Sequence, residues 1–223
     1  MAEIIINRQF NRIAPDVIAA VNSYPSGYFV DIQDRRGALD HRIRPLFSSP
    51  PVYGTAVTIK TVPDDNLAPY MALEILQPGD ILVVSNGGWE GSAVIGDLIA
   101  GMYRNIGLGA IVTDGLVRDI QGLEKLGLPV FAAGLTPNSP QKHGPGVIGG
   151  DVVIGNVRVK SGDLIVGDRD GVVCLPARYL VTVEAALKAV RAKEAGIEKQ
   201  IADGMQSPQW VKEIASDVVT YAD

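Results

Sequence analysis

The chain has 223 residues, 47% of them hydrophobic, and a formal charge of −5 from 20 Lys+Arg against 25 Asp+Glu. That length can bury a core as one domain or two small ones, and with no Lys/Arg run or basic stripe no nucleic-acid partner is expected. A lone cysteine, Cys174, excludes an intrachain disulfide framework and cysteine-based metal sites.

The N-terminus MAEIIINRQF lacks a basic segment followed by a long apolar stretch, and no apolar run approaches the roughly 18 residues of a membrane span. A soluble, cytoplasmic protein with no membrane partner is expected. Pro15–Val21 suits a short helix with proline in its first turn, and residues 25–50, rich in Gly, Pro, Arg and Asp, read as loop. The β-branched stretch Val52–Thr61 reads as a strand. Asp65-Asn66 can cap a helix over Leu67–Leu76, with Pro69 in its first turn. Gln77-Pro78-Gly79-Asp80 is a turn into strand Ile81–Val84, and residues 86–93 (NGGWEGSA) are irregular. A helix over Gly96–Ile106 stopped by Gly107, strand Ala110–Thr113, turn Asp114-Gly115, helix Val117–Leu126 and strand Pro129–Ala132 follow. This alternation predicts α/β architecture with parallel pairing.

Residues 134–151 form a Pro/Gly loop. Short strands are then expected at Val152–Ile154, Val157–Lys160, Leu164–Gly167 and Val172–Leu175, with Gly155-Asn156 as a two-residue hairpin turn. A long helix with a charged face closes the pattern over Ala177–Ala202. Pro78-Gly79-Asp80-Ile81-Leu82-Val83 and Ser161-Gly162-Asp163-Leu164-Ile165-Val166 share a Gly-Asp turn running into an apolar strand, too few copies for a solenoid.

The chain has no GxGxxG after a strand, no GxxxxGK[ST] and no GxSxG. His41 and His143 are its only histidines and are far apart. Carboxylates, arginines, backbone amides and an oxygen-ligated Mg²⁺ or Mn²⁺ remain as chemistry. Two segments offer it. Gly96-Asp97-Leu98-Ile99 opens a helix, whose free N–H groups suit a substrate carboxylate. Arg118-Asp119 follows a strand end, where one residue can grip an anion and the other a hard cation. Spacing leaves a structural reading open for both: Asp97 as an ordinary N-cap and Arg118-Asp119 as a surface pair.

The stretch GDLIAGMYRNIGLGAIVTDGLVRDIQGLEKLGLPVF resembles the class II pyruvate aldolases acting on 4-hydroxy-4-methyl-2-oxoglutarate and 4-carboxy-4-hydroxy-2-oxoadipate, a family that also contains the regulator of ribonuclease activity A. Pro63-Asp64-Asp65-Asn66, Pro78 to Val83, and Gly162-Asp163 through Val173 extend the match over roughly residues 15–204. The resemblance implies one domain spanning residues 1–223. Its fold would be an α/β/β sandwich like the swivelling phosphohistidine-type domains, with a long C-terminal helix, assembled as a homotrimer or homohexamer.

It also implies that the Gly96, Asp97, Leu98 and Ile99 backbone binds a pyruvyl carboxylate and that Arg118 contacts substrate oxygens. Asp119 would ligate Mg²⁺ or Mn²⁺ directly, and Asp97 would hold a water on the metal. Glu194, or failing that Glu198, would reach in from a neighbouring subunit, the alternative being a solvated helix face. The implied reaction is retro-aldol cleavage of a small 2-oxo acid to pyruvate, with oxaloacetate decarboxylation as a side activity. A regulator-like binding protein is the rival, as is a decarboxylase on another 2-oxo acid. Trp89 and Glu90 lie near the site in sequence, Trp89 being equally suited to core packing, and His143 is either a surface residue or a substrate neighbour. Residues 207–223 depart from the usual tails of the aldolases the chain resembles, which leaves the natural substrate open.

Overall fold

The computed structural model describes residues 3–220. Chain contacts divide into two compact units, one ending at Leu187 and one starting at Lys188. The first is α/β. In chain order it holds β1 (Ile4–Ile6), α1 (Pro15–Val21), α2 (Ser26–Asp31), β2 (Arg44–Pro45), β3 (Val52–Thr61), α3 (Leu67–Met71), β4 (Ile81–Ser85), β5 (Ala93–Ile95) and α4 (Asp97–Ile106). Then come β6 (Ala110–Thr113), β7 (Leu116–Val117), α5 (Ile120–Leu126), β8 (Val130–Ala132), β9 (Gly134–Leu135), β10 (Gly146–Ile148) and four strands, β11 (Asp151–Ile154), β12 (Val157–Lys160), β13 (Leu164–Asp168) and β14 (Gly171–Leu175). α6 (Val183–Ala202) starts in this unit, and α7 (Gln209–Val218) belongs to the second.

The spine is β3. One edge pairs in parallel with β4, followed by β6 and β8, while its other edge receives β13 at Val52–Thr55 and β10 at Ile59–Thr61, both antiparallel. Because side chains alternate along a strand, the central strands sort cleanly onto two faces. Val57, Ile59, Leu82, Val84, Ile111 and Val130 pack toward the helices, against Ala68, Ile99, Tyr103 and Leu123. Ala56, Ile81, Val83, Ala110, Val112 and Phe131 pack against Val152, Ile154 and Val159 of the β11–β12 hairpin. Buried on both faces, these strands need the continuous apolar runs the sequence supplies. Cys174 lies within the second cluster, and its burial pushes the thiol well above its ordinary range, so it acts as an inert packing residue.

The repeated Gly-Asp turn is one construction used twice. Gly79 and Gly162 take left-handed φ values of 82° and 99°, where a Cβ is disfavoured. Asp80 and Asp163 are buried, and each carboxylate accepts an N–H three residues back, from Gln77 at 2.8 Å and Lys160 at 2.9 Å. Arg12 meets Asp80 with two 2.9 Å bonds, and Ala177 N–H meets Asp163 at 2.8 Å, so Asp80 is ion-paired and Asp163 is satisfied by backbone donors.

Several local expectations fail for tertiary reasons. Residues 25–50 contain α2 and β2: the Asp168 carboxylate accepts from both the N–H and the hydroxyl of Ser26, capping α2 from outside the segment. The loop 134–151 contains β9 and β10, recruited by distant partners. The helix after Pro69 gives way to a 3-10 turn at Ala72–Glu74, and Ala177–Tyr179 is a separate 3-10 turn before α6. Val117 lies in a strand, with α5 starting only at Ile120.

That strand belongs to a second, three-stranded sheet in the order β5-β7-β9, all parallel. Its members leave the C-terminal ends of β4, β6 and β8 respectively. In the second unit, α7 follows Pro208 at its N-cap position, and Trp210, Ile214 and Val218 stand exposed at helical spacing along it. No helix among the described residues is long and apolar enough to cross a membrane.

Candidate functional site

The helix α4 is fixed at both ends and along one face. Ile99, Ala100 and Tyr103 are buried on the sheet side, and the Tyr103 hydroxyl donates to the Pro69 carbonyl at 2.7 Å. Full burial of a side chain this size contributes ~2–3 kcal/mol. Gly107, at φ 87°, ends the helix, with Leu108 N–H returning to the Tyr103 carbonyl at 3.1 Å. At the other end Gly96 has no side chain with which to cap, and the first intrahelical bond is Ala100 N–H to Gly96 C=O, 3.1 Å. The N–H groups of Asp97, Leu98 and Ile99 therefore remain available at the positive end of the helix dipole.

Arg118 and Asp119 sit at the junction of β7 and α5. Arg118 N–H bonds the Ile95 carbonyl at 3.0 Å, continuing the small sheet by one residue and carrying Arg118 alongside the start of α4. Asp119 follows at φ 61°, ψ 44°, a left-handed conformation that a non-glycine residue adopts at a cost of ~1–2 kcal/mol. The turn throws its carboxylate back toward Gly96. A Cβ on Gly96 would lie 2.9 Å from Asp119 Oδ2 and 3.2 Å from Arg118 Nε, so glycine is what lets the two segments close. Arg118 Nε pairs with Asp119 Oδ2 at 3.1 Å, and its Nη1 donates to the Ser139 hydroxyl. Asp97 is braced from behind, its carboxylate against Gly122 of α5, where a Cβ would come within 2.3 Å of Oδ2.

The structure thus gathers Gly96, Asp97, Leu98, Ile99, Arg118 and Asp119 around one place. Arg118 and Asp119 separate two recesses. One, of about 70 Å³, is walled by Gly96 to Ile99 together with Asn66, Tyr70 and Lys142; the other, about 540 Å³, opens past Gly122 toward Leu135 and Thr136. The smaller has room for a short carbon chain or a few waters. Asp119 can hold a hard divalent cation through oxygen, with solvent and substrate supplying further ligands.

Asn66, Tyr70, Ser139 and Lys142 were not singled out from sequence as site residues. Only the Pro63–Asn66 match hinted at them, since they arrive from loops and from α3 by tertiary packing. The Lys142 ammonium lies 5.8 Å from the Tyr70 ring centroid. His143 is exposed, and its backbone N–H bonds the Asp65 carboxylate. Trp89, 42% exposed, is neither core packing nor a wall of either recess. Glu90 lines a different cavity, with Asp40, Arg42 and Asp114. In that cavity Asp114 is more than a turn residue. It accepts from the Ser85 hydroxyl and Asn86 N–H at 2.9 Å each, tying the β4 and β6 ends together, while burial raises its carboxyl above the ordinary range. Glu194 and Glu198 lie on α6 within the second unit, Glu194 half-buried and Glu198 exposed.

The RraA-like family model, Aldolase/RraA, matches residues 15–174, which include every strand from β2 to β13 and the whole gathered site. The chain belongs to the Aldolase/RraA family. Among Aldolase/RraA relatives, a protein of Halalkalibacterium halodurans, provisionally named a 4-hydroxy-4-methyl-2-oxoglutarate aldolase, is 33% identical over 192 residues, covering 86% of this chain and 91% of its own. An uncharacterized protein from Pseudomonas syringae pv. tomato superposes with a TM-score of 0.79 at 25% identity, over 89% of this chain and 93% of that one. Streptomyces coelicolor RraAS2, described as an unusual member of the RNase ES inhibitor RraA family, gives 0.75 at 26% identity, over 86% and 100%. The Aldolase/RraA fold is thus shared by proteins with enzymatic names and by one named for ribonuclease inhibition.

Proposed function

We propose that the protein is a divalent-metal-dependent lyase that cleaves a 4-hydroxy-2-oxo acid by retro-aldol reaction, releasing pyruvate, with oxaloacetate decarboxylation as a side activity. The supporting observation is the convergence of three open N–H groups, a guanidinium and two carboxylates, Asp97 and Asp119, around one small recess.

In this reading the N–H groups of Asp97 to Ile99 hold the pyruvyl carboxylate. Arg118, oriented by Ser139 and Asp119, presents its guanidinium to the 2-oxo oxygen, where negative charge develops. Asp119 would hold Mg²⁺ or Mn²⁺, and a cation there would supply Lewis-acid polarisation of the 2-oxo group. Asp97, whose carboxylate rests against Gly122, moves the C4 hydroxyl proton through an intervening water in this reading. By resemblance, Glu194 completes the site of a neighbouring subunit in a homotrimer or homohexamer, which solution mass measurements on wild type and Glu194→Gln would examine.

The test is pyruvate release, coupled to an NADH-dependent reductase, from a 4-hydroxy-2-oxo acid and from oxaloacetate, with Mg²⁺, with Mn²⁺ and with chelator. Wild type turns both over only with metal, and Asp119→Ala abolishes both. Activity surviving in Asp119→Ala sinks the assigned site; no turnover by wild type favours a binding protein.

A further inference from the structure

Asn66 occupies the N-cap position of α3, where asparagine ordinarily accepts an N–H of the first turn. Here its side chain makes no such bond. Asp65 does that work instead, accepting Leu67 N–H at 2.9 Å. Asn66 is 6% exposed, and its Oδ1 is the buried side-chain oxygen without a hydrogen-bond partner among the described residues. Such an orphan acceptor is costly unless something answers it. The residue lines the small recess beside Gly96–Ile99, Arg118 and Lys142. No bond within the chain holds Oδ1, and χ2 is a broad torsion, so the amide can turn to bring the oxygen to an occupant, whose hydrogen bond then offsets the burial of Nδ2.

The remaining groups say which occupant. The helix N–H groups, Arg118 and Lys142 are donors suited to carboxylate and oxo oxygens. Asp97 and Asp119 are charged acceptors suited to a cation or a proton. Asn66 Oδ1 is a neutral acceptor, and an amide cannot take up a proton at working pH. It matches a group that keeps its hydrogen while bound. We propose that Asn66 is a binding-specificity residue whose amide oxygen accepts a hydrogen bond from the hydroxyl of a hydroxylated 2-oxo acid, favouring the binding of such substrates over unhydroxylated ones. The assignment rests on the aldolase reading. It is a contact of the bound ground state, because the hydroxyl proton must leave the amide before the carbon–carbon bond breaks, so its loss weakens binding and raises KM without lowering kcat.

The test compares a 4-hydroxy-2-oxo acid with oxaloacetate, which has no hydroxyl on its keto form, in wild type, Asn66→Leu and Asn66→Ala. For the hydroxy acid, KM is expected to rise about tenfold or more with kcat unchanged or higher, while both constants for oxaloacetate decarboxylation stay within about twofold. Thermal melting identifies any variant that has merely lost its fold, and Asn66→Ala, which only removes atoms, guards against a failure of Asn66→Leu. Parallel loss on both substrates in a folded variant, or no loss on either, overturns the assignment while the aldolase reading stands. If wild type turns over neither substrate, the aldolase reading falls and takes this one with it.

Discussion

Gly122→Ala separates stability from function at this site. A Cβ at position 122 would lie 2.3 Å from Asp97 Oδ2, 2.6 Å from its Cβ and 2.8 Å from its Cγ. Rotating the carboxylate away relieves only the first and last of these. The Cβ–Cβ approach is fixed by the two backbones, so clearing it to ordinary contact near ~3.5–4 Å moves Asp97 or the helix axes by roughly 1 Å. Overpacking of this kind costs ~1–3 kcal/mol, and alanine in place of a helical glycine returns ~1 kcal/mol. The net loss is therefore ~0–2 kcal/mol, a fall of a few degrees in Tm. Misplacing a positioning carboxylate by ~1 Å costs about a hundredfold in rate. Gly101→Ala on α4 is the control: its Cβ would meet only Leu126 Cδ2 at 3.8 Å, ordinary contact, so it should gain ~1 kcal/mol and keep its activity. The assay is metal-dependent pyruvate release beside thermal unfolding. If Gly122→Ala matches wild type in kcat/KM and melts as high as Gly101→Ala, the bracing of Asp97 by α5 is refuted.

Two more outcomes follow from strain and burial. Asp119→Gly and Asp119→Ala lose the same partly exposed Arg118 bridge, worth ~0–1 kcal/mol, but only glycine relieves the left-handed backbone. Both should be inactive, with the glycine variant melting higher; equal melting would show that the turn stores no strain. For Asp114 the folded carboxyl binds its proton more tightly than the unfolded one, because burial raises its pKa from 3.8. Stability from this group is present at low pH and declines as pH rises from about the unfolded value through the raised folded one. Asp114→Asn should flatten that part of the urea-unfolding profile, and an unchanged slope would refute the assignment.

How far the sequence exposes this architecture depends on where each residue's partners lie. Ile81–Val84 and Ala110–Thr113 are legible because strands buried on both faces must be apolar throughout. α4 is legible because its stop signal, Gly107, and its buried face at 99, 100 and 103 are local. The strands β5, β7 and β9 span two or three residues each, too few to show any period, so Val117 reads as helix until Ile95 and Leu135 are seen beside it. The same limit governs the site. Asp97, Arg118 and Asp119 lie at strand-to-helix junctions that the chain announces, whereas Asn66 and Lys142 become wall residues only when α3 and the 134–145 segment pack against α4.

The small parallel sheet has a consequence for how such a protein diversifies. Each crossing from a central strand toward its following segment passes through a rung of β5-β7-β9, so the chemistry hangs from a ladder rather than from the tips of loops. The connections at 86–92 and 137–145 enter or leave that ladder from outside. They can vary with the rungs still in register, which keeps Gly96-Asp97 and Arg118-Asp119 together while the 137–145 connection, which brings Ser139, Pro140 and Lys142 to the smaller recess, alters its wall. Within 137–145, Lys142 is free to change in this way, whereas Ser139 is tied to Arg118 by its hydroxyl and links that connection to the ladder.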